Sequence, residues 1–170
     1  RGLLLASAEK VLGYKSEFKL KDENDETYIT HQSATPVCQE FCRFVVATVA
    51  NVRKGLTALN RKYFLLSLAD GLLGVVLKAV KHVKVTPISG GFLLMYDMNH
   101  ICETVAACQL PAAARLRFDS LVRVYKVFLV RKEDARGVVR ELLDTKPPGD
   151  FVSYDEFLPC RTDFSKDMKL

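Results

Sequence analysis

The stretch from Thr86 to Val130 constrains the fold more than any other part of the chain, because two breakers divide it into two amphipathic runs of helical length. Thr86-Pro87 and a Ser89-Gly90-Gly91 start precede the first run, and Leu110-Pro111 separates it from the second. In the first, Leu94, Met98, Ile101, Val105 and Cys108 recur at steps of four and three, which places them on one helix face. Ser89 is expected to cap the first free N–H groups, and the two glycines to let the backbone turn tightly into the helix. In the second run Phe118, Leu121, Val122, Tyr125, Phe128 and Leu129 form an apolar face, opposite Arg115, Asp119, Arg123 and Lys126. A link this short sets the two helices antiparallel.

The rest of the chain reads as helices and connectors with almost no strand signal. Thr35 followed by Pro36 is a helix start, since proline at the first helical position gives up an N–H that has no partner anyway. The face Phe41, Phe44, Val45, Thr48 and Val52 runs to an end near Gly55. Asn60 is expected to cap the next helix, whose stripe Phe64, Leu68, Leu72, Val75, Ala79 and Val83 continues to Lys84. Gly71 and Gly74 interrupt it, each costing up to about 1 kcal/mol against alanine. They predict a flat surface on which a neighbouring helix approaches closely. The apolar setting of Gly71-Leu72-Leu73-Gly74 argues against a nucleic-acid-binding GXXG loop, which is exposed and basic. Ala135, Val138, Val139, Leu142 and Leu143 form a short inward stripe, stopped by the Pro-rich connector at 145–150. Ser153 and Glu156 are spaced as a capping box for a last short helix. Residues 15–33, carrying Asp22, Glu23, Asp25 and Glu26, lack an apolar period and read as an acidic loop. The resulting fold class is all-α: an elongated stack of about six or seven antiparallel helices, forming one helical domain over residues 1–170.

At 170 residues the chain can bury on the order of 70% of its unfolded surface, so its core needs no covalent staples. The five cysteines, an odd number without a C-x-x-C pair, therefore read as buried thiols in a reducing compartment. Cys38 and Cys42 lack partners at ligand spacing, as do His31, His82 and His100, so neither metal nor cofactor is implied. No uninterrupted apolar run reaches the roughly 18 residues that cross a bilayer. The opening from Gly2 to Leu12 reads as the end of a helix whose earlier turns are missing, not as a signal peptide.

Catalysis is not expected. His100, Cys102 and Glu103 diverge around a helix, and no nucleophile elbow or oxyanion-type loop accompanies them. Ser89-Gly90-Gly91 lacks the lysine and spacing of a P-loop.

Gly90 to Leu94 (GGFLL), Tyr96-Asp97-Met98, Leu110-Pro111, Phe118 to Leu121 (FDSL), Phe128 to Val130 (FLV) and Leu158 to Phe164 (LPCRTDF) resemble the C-terminal part of the Sec-ten subunit of the exocyst. Upstream, Lys15 to Asp25 (KSEFKLKDEND) and Cys38 to Arg43 (CQEFCR) are similar to the same family, in the same order. The resemblance implies a non-enzymatic helical rod within a multisubunit assembly that holds secretory vesicles at the plasma membrane before fusion. It further implies other exocyst subunits as partners, small GTPases of the Arf or Rab type as candidates, and a cytoplasmic site peripheral to plasma membrane and vesicles. It also implies that the chain is the C-terminal part of a longer one.

A different class of function follows from charge. Between Pro111 and Arg140 eight basic residues face three acidic ones, and such a concentration attracts phosphates. Arg115, Arg123, Lys126, Arg131, Lys132, Arg136 and Arg140 are candidate contacts for acidic phospholipid. Nucleic acid is disfavoured, since no aromatic platform interleaves with the arginines. The ordinary alternative is a solvated face laced by the i,i+4 pairs Arg115–Asp119 and Asp119–Arg123.

Overall fold

The structure, a computed structural model, describes residues 2–13 and 33–164. Its helices are α1 (Gly2–Val11), α2 (Pro36–Gly55), α3 (Ala58–Lys81), α4 (Ser89–Ala107), α5 (Ala112–Lys126) and α6 (Lys132–Asp144), followed by a 3-10 helix (Tyr154–Cys160). Among the described residues the sole β-type pairing is an isolated bridge between Val85 and Arg161. The all-α expectation therefore holds. The acidic loop read over residues 15–33 lies outside the described residues, apart from Ser33.

The start of α2 follows the local rule: Thr35 Oγ1 accepts from the Cys38 N–H at 3.2 Å, and Pro36 occupies the first turn. Three other terminus readings are corrected. Helix α3 begins after Thr57, not Asn60, without a side-chain cap, and it ends at Lys81. Helix α4 follows Ile88, whose φ is +67°, and Ser89 does not cap it; the Ser89 hydroxyl is buried without a protein partner. The last segment winds as a 3-10 helix, with Pro159 inside it and no cap bond from the Ser153 side chain.

Four helices close a ring. Helix α2 packs on α3, α3 on α5, α5 on α4, and α4 back on α2, with α4–α5 the most extensive pairing. At its centre Phe41 and Val45 of α2, Leu72 of α3, Ile101 and Val105 of α4, and Phe118 of α5 meet so closely that no water fits between them. The stripe expected in α4 (Leu94, Met98, Ile101, Val105 and Cys108) is buried throughout. Helix α1 lies along α3 in the same chain direction, with Leu5 over Gly71 and Glu9 paired to Lys78 at 3.0 Å. The 3-10 helix packs on both α3 and α6.

The α4–α5 hairpin is antiparallel because its open end is tied. The Ile88 N–H donates to the Phe128 carbonyl at 2.8 Å, while a Cβ on Gly91 would stand 2.6 Å from that same oxygen. Only a glycine lets the α4 backbone come so near. The positive end of α4 thereby meets the carbonyl end of α5, a favourable arrangement of helix dipoles.

Two buried ionic groups fix the ring. Asp97, fully buried, accepts from the Thr35 backbone N–H at 2.6 Å and from its hydroxyl at 2.8 Å, joining α4 to the start of α2. Arg161, also fully buried, donates to the Val127 and Val130 carbonyls just past α5 and to both Asp163 oxygens, at 3.0 and 2.8 Å. The Thr162 N–H and the Val85 carbonyl, and the Val85 N–H and the Cys160 carbonyl, add a short backbone ladder beside it.

Helix α3 departs from the expectation about membrane-length runs. Its best 18-residue window has a mean hydropathy of 1.8, enough in length and composition to cross a bilayer, and 39% of that window is buried in the bundle. Asp70 and Lys78 interrupt its apolar run but are too few to lower the average.

Candidate interaction surfaces

Helix α3 is apolar on two sides. The inner stripe of Leu65, Leu68, Ala69, Leu72, Val75, Val76 and Val80 belongs to the core. On the outer side Leu59, Tyr63, Leu66, Asp70, Leu73 and Leu77 follow one another at steps of four and three over its length. Leu59 and Tyr63 are about two-thirds exposed, at 65% and 66%. Leu66, Leu73 and Leu77 are half-buried. Beside the lower half of this stripe runs a groove of about 940 Å³, walled by α3, by Ala113 and Leu116 of α5, and by the connector from Pro147 to Val152. Gly74 forms part of its floor, and a Cβ added there would meet nothing within 4 Å. Leu116 and Phe151 project at the rim, 69% and 82% exposed. Ion pairs Asp70–Arg117 and Lys81–Glu156 flank it, and the Lys81 ammonium holds the Glu156 carboxyl below its usual range.

This geometry divides the two glycines that the sequence treats alike. Gly71 does admit a neighbour, Leu5 of α1, whose side-chain carbons would stand 2.7 Å from an added Cβ. Gly74 has no such neighbour within 4 Å of an added Cβ, so its expected helix contact is not made among the described residues. The outer 4-3 pattern was readable in the sequence, but the inner stripe has equal helical periodicity and conceals it.

The basic candidates lie on two helices and the turn between them. The side chains of Arg115, Lys126, Arg131, Arg136 and Arg140 are exposed and make no hydrogen bond or ion pair among the described residues. Arg123 is half-buried and donates to the carbonyl and hydroxyl of Thr145 at 3.2 and 3.3 Å. Lys132 stands over the Phe164 ring at 5.6 Å. The expected Arg115–Asp119 and Asp119–Arg123 ion pairs do not form; Arg117 instead reaches across to Asp70 on α3. Basic character is concentrated on α5, because α6 also carries Glu133, Asp134, Glu141 and Asp144.

A second groove, about 840 Å³, lies between α2 and α4, with Cys42, Arg43, Tyr96, Asn99, His100 and Glu103 among its walls. Cys42 is set beside Cys38, whose hydrogen bond draws its thiol pKa down against burial. The Cys102 thiol is pushed the other way, to about 11, by burial first and then by Asp119 and Glu103. It donates to the Phe118 carbonyl, 3.5 Å away. All five cysteines are free, and no group of three metal-ligating side chains occurs among the described residues.

Residues 12–169 match the family described as exocyst complex component Sec10-like, alpha-helical bundle. No curated protein matches the chain. The quoted motifs coincide with the long-range ties of the fold: Gly91 against Phe128, Asp97 on Thr35, and Arg161 on the end of α5.

Proposed function

The chain belongs to the Sec10-like family of exocyst components, and from that premise we propose that it is a non-enzymatic tethering subunit, holding secretory vesicles at the plasma membrane through protein contacts. The single observation that carries this reading is the family match over residues 12–169. A helical bundle suits the task physically. Tethering stabilises no transition state and needs only rigid surfaces presented at fixed separations. Other exocyst subunits are its partners on this reading, with small GTPases of the Arf or Rab type as further candidates, and its place is the cytoplasmic side of the plasma membrane and of vesicles. Affinity purification of the full-length chain from its source cells tests it. Other exocyst subunits should be recovered with it, and recovery without any of them would sink the proposal.

A second reading is favoured by the outward basic side chains of α5 and its following turn. Arg115, Lys126 and Arg131 have no anionic partner among the described residues, which leaves them available to acidic phospholipid. Each basic residue near such a surface contributes about 1 kcal/mol.

A further inference from the structure

Helix α4 is entered through a strained turn, and we infer that this entry is a two-position device held in one position by the C-terminal segment from Leu158 to Phe164. Ile88 has φ +67° and ψ −75°, and the Ser89 N–H donates to the Pro87 carbonyl at 2.9 Å. That is a γ-turn of the rare, strained form, carried by a β-branched residue. Burial does not offset the strain, since Ile88 is 39% exposed. The next residue adds a second cost. The Ser89 hydroxyl is buried with no hydrogen-bond partner among the described residues, so its desolvation is uncompensated. Two such costs side by side persist only where the surroundings over-determine the geometry.

Here they do so through backbone hydrogen bonds. Val85 is fixed on both sides: its N–H donates to the Cys160 carbonyl at 2.9 Å, and its carbonyl accepts from the Thr162 N–H at 3.0 Å. Three residues on, the Ile88 N–H is fixed to the Phe128 carbonyl. Pro87 lies between them with φ locked by its ring, so the change of direction falls on Ile88. Arg161 completes the clamp, because the side chain that holds the Val127 and Val130 carbonyls belongs to the segment that pairs with Val85. Loosening that segment frees Val85 and with it the turn. Ile88 then relaxes to negative φ, and Ser89 takes the N-cap place that its chemistry suits, accepting from the Gly91 or Phe92 N–H. The two positions differ by one residue in where α4 begins. A contact that bears on Leu158 to Phe164 is thereby felt at the start of α4, to the extent that it favours one position over the other.

Hydrogen exchange and urea titration of the full-length protein test this. Asp163→Asn keeps the shape of the clamp and removes the charge that balances Arg161. In that variant, and in Arg161→Lys, the amide of residue 88 should lose protection at least tenfold while the Val45 amide in α2 changes less than threefold. Ser89→Ala should raise the urea midpoint of the parent, where the hydroxyl has no partner. In Asp163→Asn the same substitution should lower protection of the Phe92 amide, because there the hydroxyl is a cap. Ile88→Gly and Ile88→Ala lose the same side-chain contacts, and Ile88→Gly should unfold at the higher urea concentration. That margin should shrink by at least half in Asp163→Asn, since relief of strain counts only while the turn is clamped. A Ser89→Ala midpoint below the parent's, a margin equal in both backgrounds, or residue-88 protection unchanged by both clamp variants would each overturn the inference. Should neither clamp variant fold, the parent background decides: residue 88 should be at least tenfold better protected in Ile88→Gly than in Ile88→Ala, and equal protection would sink the idea.

Discussion

Gly91 and Gly74 occupy the same kind of place in the sequence, near the apolar stripe of a long helix, yet substitution should act on them in opposite directions. At Gly91 an alanine Cβ would meet a backbone carbonyl, that of Phe128, at 2.6 Å. Backbone cannot rotate aside as a side chain can, so Gly91→Ala should destabilise the protein by about 2 kcal/mol or more in urea titration, with the α4–α5 hairpin prised apart. At Gly74 the space is open, and Gly74→Ala should raise stability by about 0.5–1 kcal/mol through restriction of the unfolded chain. Cys102 supplies a pH dependence with a definite sign. Its thiol pKa is raised in the folded chain from 9.0 to about 11, so the folded form holds the proton more tightly than the unfolded form. The corresponding stability is fully present below pH 9 and is lost as pH rises towards 11. Urea midpoints measured at pH 8 and pH 10.5 should therefore diverge less in Cys102→Ala than in the parent.

At the scale of elements, the C-terminal segment acts as a latch on the end of α5. Arg161 satisfies the carbonyls of Val127 and Val130, which the helix leaves without internal donors, and its charge is balanced by Asp163. A planar guanidinium can hold both sides at once, which an ammonium cannot. Arg161→Met should leave buried acceptors unpaired and cost about 3–5 kcal/mol, and Arg161→Lys should recover only a small part of that. Hydrogen exchange gives the readout that separates a latch from a general loss of fold: amides of Val85 and Thr162, paired across the ladder, should lose protection before those of α2. At the far end of the hairpin Arg53 of α2 donates to the Cys108 carbonyl, and Gln109 leaves the helix at φ +47°. One arginine per end thus closes the carbonyl terminus of each hairpin helix.

For the whole molecule, the question is which of its outward faces carries function. The apolar face of α3 and the basic face of α5 make separable demands, because one is insensitive to salt and the other is not. If the basic face meets membrane, sedimentation with phosphoinositide-containing liposomes should be detectable at low salt and fade as ionic strength passes the physiological range. It should also be lost in the triple variant Arg123→Glu, Lys126→Glu, Arg136→Glu. Binding indifferent to both salt and charge reversal would remove the membrane reading and leave protein contact. Arg136 is the weakest of the three expected contributors, since α6 offsets its own bases with Glu133, Asp134, Glu141 and Asp144.

The sequence by itself determined what depends on neighbours within a few residues. The Thr35-Pro36 start, the end of α2 at Gly55, the stop after Asp144 and the buried stripe of α4 all follow from local rules of capping and period. The family was also legible, through motifs spread along the chain. Tertiary structure decided the rest, because helical periodicity names a face without naming what lies against it. Both stripes of α3 obey the same period, and only the closing of the ring put one inside and left the other out. Ser89 had the right chemistry and place to cap α4, but docking against Phe128 set the entry through Ile88 instead. Asp97 looked like one polar residue in an amphipathic run. Its role became visible only when folding brought Thr35, 62 residues away in the chain, within 2.6 Å of its carboxylate.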